Sequence, residues 1–223
     1  MRCVSGLVLV AVLGAVVVEA NISSKERTRI REAAAVLKAI HAVPDKDIPQ
    51  DLWDKAECVL VVPSLKKAAF IVGGEYGKGL MSCRHAKAWS APVFMHVGKG
   101  SWGLQIGAQS IDLVLLIMNP GGMAKLLRNK VTLGVEASVA GGPVGRDARA
   151  ATDAQLKAEI LSYSRTQGLF AGVNLSGGVV KIDEDDNEDL YGPAIAPRDV
   201  LTRGTAQAPA ATGPFMDALR RTP

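Results

Sequence analysis

The chain is 223 residues long, 48% apolar, with 26 basic against 22 acidic side chains. That is enough apolar material for one domain with its own core, which excludes a mostly disordered chain. A net charge of +4 falls short of the dense basic stripe of a dedicated nucleic-acid binder, while remaining compatible with an anionic partner.

Arg2, the apolar run Leu7 to Val18 and the small-residue site Val18-Glu19-Ala20 form the pattern of an export signal cleaved after Ala20. The run is too short to span a bilayer comfortably, with an uncleaved anchor as the alternative to cleavage. The expectation is therefore a signal peptide over 1–20 and a single domain over 21–203, in a protein that is exported, periplasmic or secreted, and peripheral to a membrane. Cys3 leaves with the signal. Cys58 and Cys83 remain as an even pair in an oxidising compartment, either as a disulfide or as two buried thiols.

Ser23 to Ala42 predicts a helix. Ser23 and Glu26 have the spacing of a capping box, and Ile30, Ala33, Ala34, Leu37 and Ile40 recur at helical intervals. Lys25, Arg27, Arg31 and Lys38 make its other face basic, either as a solvated face or as a surface for anionic headgroups. After the prolines at 44 and 49, Gln50 to Glu57 predicts a turn or two of helix. Strands follow at Cys58 to Val62, Ala68 to Val72, Gly79 to Cys83, Pro92 to Val97 and Gly103 to Ala108. Ile111 to Met118 is apolar apart from Asp112 and should be buried on both faces. Its alternation is out of phase with Gly103 to Ala108, which predicts a bulge or break near Gln109 and Ser110.

Asn119-Pro120-Gly121-Gly122 ends that run, with a short helix expected over Met123 to Lys130 and another strand over Val131 to Ala140. Ile160 to Arg165, Leu169 to Leu175 and Val179 to Ile182 read as a closing meander. The acidic run Asp183 to Asp189 imitates the opening of a calcium loop, but Glu188 and Ala194 stand where the loop needs glycine and glutamate, so it reads as a solvated turn. From 204 to 223 the Ala/Pro-rich composition predicts a flexible tail, with a helical turn at its end.

Gly98, Gly100 and Gly103 satisfy G-x-G-x-x-G, yet they lead into strand-like alternation instead of a helix, so they read as turn and packing glycines. The three histidines show no metal-binding spacing and there is no G-x-S-x-G elbow. The expectation is no enzyme, no cofactor, no metal and no nucleic-acid partner. A polar set within apolar strand ends, Glu75, Tyr76, Lys78, Gln105, Gln109, Arg146, Asp147, Ser164 and Arg165, forms either an internal network or an anion pocket.

Six ordered motifs carry a resemblance: VVPS at Val61 to Ser64 with Lys66-Lys67, GGEYGKG at Gly73 to Gly79, WSAP at Trp89 to Pro92, GLQIGAQ at Gly103 to Gln109, ASVAGGPVGRDA at Ala137 to Ala148, and ILSYSRTQGLFAGVNLSG at Ile160 to Gly177. Together they resemble the SYLF-domain family. The resemblance implies a module that binds acidic phospholipids, with actin binding known in some members. For an exported chain it implies a lipid surface first; the basic residues of this sequence that would meet it are Lys25, Arg27, Arg31 and Lys38 on the helix and Lys66, Lys67 and Lys78 on the sheet. A structural or protein-interaction module of the cell envelope, including self-association, is the alternative. The expected fold is α+β: a curved, mostly antiparallel sheet, barrel- or sandwich-like, with the N-terminal amphipathic helix and short helices packed on it.

Overall fold

The computed structural model describes residues 22–40, 48–69, 72–85, 88–102, 107–128, 130–145, 157–166, 169–204 and 206–220. The signal expected over 1–20, Gln105, Arg146 and Asp147 lie outside them.

The first helix, α1 (Ser24–Ile40), starts at the reciprocal cap that its sequence announces. The Ser23 N–H donates to Glu26 Oε2 at 2.6 Å, and the Glu26 N–H donates to Ser23 Oγ at 3.3 Å. Ile30, Ala33, Ala34, Leu37 and Ile40 are buried, and Val36 joins them on a second flank. A short α2 (Gln50–Lys55) then buries Trp53 before the sheet begins.

Ten strands form one curled sheet: β1 (Cys58–Ala69), β2 (Val72–His85), β3 (Ala88–Trp89), β4 (Val93–Trp102), β5 (Gly107–Ile117), β6 (Val131–Thr132), β7 (Val139–Gly141), β8 (Ile160–Thr166), β9 (Leu169–Gly172) and β10 (Val179–Ile182). The order is β6-β10-β4-β2-β1-β5-β8-β7, with β3 added beside β2 and β9 beside β8. Only β7 and β8 run parallel among the paired strands described. The architecture is α+β, with the sheet curled as a half-barrel.

Three sequence expectations change in this sheet. Cys58 to Val62 and Ala68 to Val72 are not two strands: the first and the described start of the second, Ala68 and Ala69, are stretches of one long β1 that passes through Pro63 and Ser64, whereas Val72 begins β2. Val62 faces Leu113 while Leu65 faces Ile111, so β1 carries one residue more than β5 across that interval. The bulge therefore lies at Ser64, on the partner strand, and β5 is continuous through Gln109 and Ser110. Ser64 takes a left-handed φ of 55°, and its N–H donates to Asp112 Oδ1 at 3.0 Å. Val131 to Ala140 is likewise divided, between β6 on one side of the sheet and β7 on the other. As expected, Leu113 through Ile117 are fully buried on both faces.

Cys58 and Cys83 face each other across β1 and β2 with Cα atoms 3.9 Å apart, and they are bonded. Closing a loop of 25-residue separation contributes about 3 kcal/mol by restricting the unfolded chain. Gly79 lies against the bulged stretch of β1. A Cβ there would come within 2.2 Å of the Val61 carbonyl oxygen, so this close approach admits only glycine.

Among the described residues, the helices after β5 that have full bounds are α3 (Pro120–Leu126), capped by Asn119, then α4 (Glu184–Tyr191), α5 (Pro197–Arg203) and α6 (Gly213–Arg220). Two expectations fail here. The acidic run is a helix and not a solvated turn, because Asp183 caps it and Leu190 and Tyr191 are buried beneath it. The segment expected to be a flexible tail contributes a 3-10 turn (Ala210–Thr212) and α6, whose Phe215, Met216, Ala218 and Leu219 are buried where it packs against α1. Replacing Phe215 by alanine is expected to cost about 3–5 kcal/mol, since a fully buried ring leaves a cavity. Chemical denaturation measures this, and a loss below about 0.5 kcal/mol would be the value of a surface residue.

Candidate functional site

Four elements meet at one cluster of charge. Arg29 lies on the opposite side of α1 from Arg27, Arg31 and Lys38 and reaches toward the sheet, its Nη1 2.7 Å from Asp186 Oδ2 on α4, with its guanidinium 5.7 Å from the centre of the Phe94 ring. Lys78 on β2 lies between two carboxylates, 2.9 Å from Asp186 Oδ1 and 2.6 Å from Asp183 Oδ2. Asp183 is 2% exposed, and its other oxygen lies 3.1 Å from His96 Nε2 on β4. The next residue in the cluster, Asn187, bonds the backbone of β4 where β10 ends: it accepts from the Phe94 N–H and donates to the Phe94 carbonyl, both at 2.8 Å.

The charges balance. Lys78 and Arg29 stand against Asp183 and Asp186, which is the condition for burying any of them. Burial opposes the charge on Lys78, but the two carboxylates outweigh it and raise its pKa above the usual value. Burial would also raise Asp186, yet the bond to Lys78 and the charge of Arg29 hold it below the ordinary carboxylate value. His96 is lowered, chiefly by burial, with Lys78 and Lys181 adding to the effect and Asp183 opposing it. A neutral His96 beside a carboxylate acceptor carries its proton on Nε2. Its Nδ1 then accepts from the Tyr76 O–H at 2.8 Å. A chain of hydrogen bonds thus runs from exposed Tyr76 to buried Asp183.

The other predicted site residues are scattered. Lys25, Arg27, Arg31 and Lys38 are exposed on α1. At about 100° per residue, Arg27, Arg31 and Lys38 fall within about 40° of one another, whereas Lys25 lies near Glu32 on the far edge of the exposed arc. Lys66 is exposed on β1. Lys67 and Gln109 face each other in the β1–β5 register, and their side chains lie outside the described part. Glu75 stands in register between Lys67 and Lys99, so it shares their face and not that of Tyr76. Arg165 belongs to a separate site three strands from Tyr76, where its Nε donates to Asp112 Oδ2 at 2.8 Å. Among the described residues the polar set is therefore not one network, and Lys78 is paired with Asp183 and Asp186.

Sequence reasoning missed Arg29, His96, Asp183, Asp186 and Asn187. One signal was available: Asp183-x-x-Asp186 after an alternating strand, followed by Leu190-Tyr191, is a helix start.

With this depressed folded-state pKa, the unfolded chain binds the His96 proton at higher pH than the folded one. Stability is therefore complete above about pH 6.5 and falls as pH drops below it. Thermal unfolding between about pH 7.5 and pH 5 should show this loss, and His96→Gln should flatten it. An unchanged slope in the variant would assign the effect elsewhere.

Comparison with known proteins adds the following. Residues 98–222 match the family described as Ysc84, Las17-binding protein actin regulator. An SH3 domain-containing protein of Schizosaccharomyces pombe is 37% identical over 72% of this chain and 38% of its own length. The SH3 domain-containing YSC84-like protein 1 of Xenopus laevis is 30% identical over 77% of this chain and 53% of its own. LAS seventeen-binding protein 3 of Saccharomyces cerevisiae is 30% identical over 78% of this chain and 39% of its own. The chain spans about two fifths to a half of the length of these relatives.

Proposed function

Since the chain belongs to the Ysc84 family, the SYLF family that its motifs resemble, we propose that it is a non-enzymatic module that adsorbs to anionic phospholipid surfaces through the basic face of α1. The observation that carries this reading is the stripe of Arg27, Arg31 and Lys38, all exposed on a helix whose opposite face is filled by the core. Because Ile30, Leu37 and Ile40 are already buried, α1 has no apolar face to insert into a bilayer while it stays docked. Binding is electrostatic, with each cation near the surface contributing about 1 kcal/mol at low screening. Salt therefore weakens it. Lys66 remains available to the same surface, whereas Lys78 is neutralised in the charge cluster. The leader-like segment 1–20 supports export and a place at the periphery of an envelope membrane.

A second reading is favoured by the family description, which names a protein-binding actin regulator: the same basic face then meets an acidic protein. Flotation with vesicles of phosphatidylglycerol and phosphatidylcholine, beside pelleting with actin filaments, separates the two. Changing Arg27, Arg31 and Lys38 together to alanine should weaken vesicle binding roughly 100-fold at low salt, from about 1 kcal/mol per charge. Salt-insensitive flotation, or equal binding by the variant, would overturn the lipid reading.

A further inference from the structure

The sheet face that carries α1 continues past the charge cluster as a platform. In register, Lys66 on β1 stands beside Tyr76 on β2, and Tyr76 stands beside Gly98 on β4. One rung outward, Gly74 faces Gly100, and one rung inward His96 faces Lys181 on β10. Residues paired in this way share a face, so Lys66, Tyr76, Gly98, Gly74, Gly100 and Lys181 lie on one surface.

Three glycines on this surface are not required by packing. Among the described residues, a Cβ on Gly100 would meet nothing within 4 Å, one on Gly74 only the Lys99 carbonyl oxygen at 3.8 Å, and one on Gly98 only the Glu75 carbonyl oxygen at 3.6 Å. None of them has a positive φ. Glycine weakens a strand interior, and where neither backbone conformation nor crowding calls for it, its effect is to keep the backbone bare for something to approach. Beside that strip, Tyr76 is 52% exposed, and its hydroxyl is fixed by His96 and through it by Asp183. Lys66 and Lys181 stand exposed on either side.

We propose that this platform is the surface that seats against anionic phospholipid headgroups, with Tyr76 as the interfacial anchor and Lys66 and Lys181 as its charged margins. The proposal rests on the lipid reading above and adds to it the face of the molecule that meets the bilayer. Three features favour headgroups over a protein partner. The flanking cations are lysines, which protein interfaces disfavour and which reach readily into a headgroup layer. A tyrosine with one apolar and one polar end suits the membrane–water boundary. Tyr76 stands on an open strip, without the desolvated pocket that centres a protein hot spot.

The test is flotation of the full chain with phosphatidylglycerol-containing vesicles, with thermal unfolding and actin-filament pelleting measured on the same proteins. Gly100→Val fills the strip from its open side, so it should leave the unfolding temperature unchanged or higher while weakening vesicle binding about fivefold or more. Tyr76→Ala should weaken it similarly, and Lys66→Glu with Lys181→Glu more strongly. If these variants float like the wild type while the α1 variant does not, the platform is wrong and the lipid reading stands. If the wild-type chain fails to float, the lipid reading itself fails. Loss of filament pelleting with unchanged flotation would assign the platform to a protein and overturn the proposal.

Discussion

Two carboxylates and two cations are brought together where α1, β2, β4 and α4 meet, and the arrangement of the rest follows from how they are satisfied. Each of these charges would cost several kcal/mol to bury alone, and removing one partner would leave another stranded. Together they fix α4 on the sheet, hold α1 at the angle set by Arg29 and orient His96 through Asp183. The basic stripe and the exposed Tyr76 face are thereby presented from one rigid body. The disulfide between β1 and β2 supports the same strands from the opposite end of their pairing.

The cluster also divides the basic residues by role. Lys78 and Arg29 are structural, because their charge is cancelled inside the fold. Arg27, Arg31, Lys38 and Lys66 remain to act on an outside surface. The apolar face of α1 is covered from two sides, by the sheet and by α6. An amphipathic helix in this position is a docked core element whose polar side faces outward. On the proposed lipid reading its contribution is charge and not insertion, a distinction the helical pattern by itself does not make.

Much of the local structure was legible. Ser23 and Glu26 announce the start of α1, Val179 to Ile182 is a strand with the expected limits, and Leu113 to Ile117 is buried on both faces. What failed depended on distant partners. The change of phase around Ser110 predicted a bulge there, but the extra residue sits at Ser64 on the strand it pairs with, and alternation along one strand cannot say which of two strands carries a bulge. The run Asp183 to Asp189 looks solvated until Lys78, more than a hundred residues earlier, is placed beside it. Phe215, Met216, Ala218 and Leu219 were masked by an Ala/Pro-rich surrounding, and their burial needs α1, from the other end of the chain, to pack against. Family motifs identified the module without marking its site: GGEYGKG contains both Gly79, required by close packing, and Gly74, which packing does not require.

The central claim is that α1 meets its partner while still docked. Hydrogen exchange of the full chain, with and without anionic vesicles, tests it directly, because α1 and α6 protect each other and would open together. The account predicts that amides of both helices keep their protection, or gain it, when vesicles bind. Loss of protection in α1 and α6 on binding would show that the helix leaves the core to insert, and would contradict it.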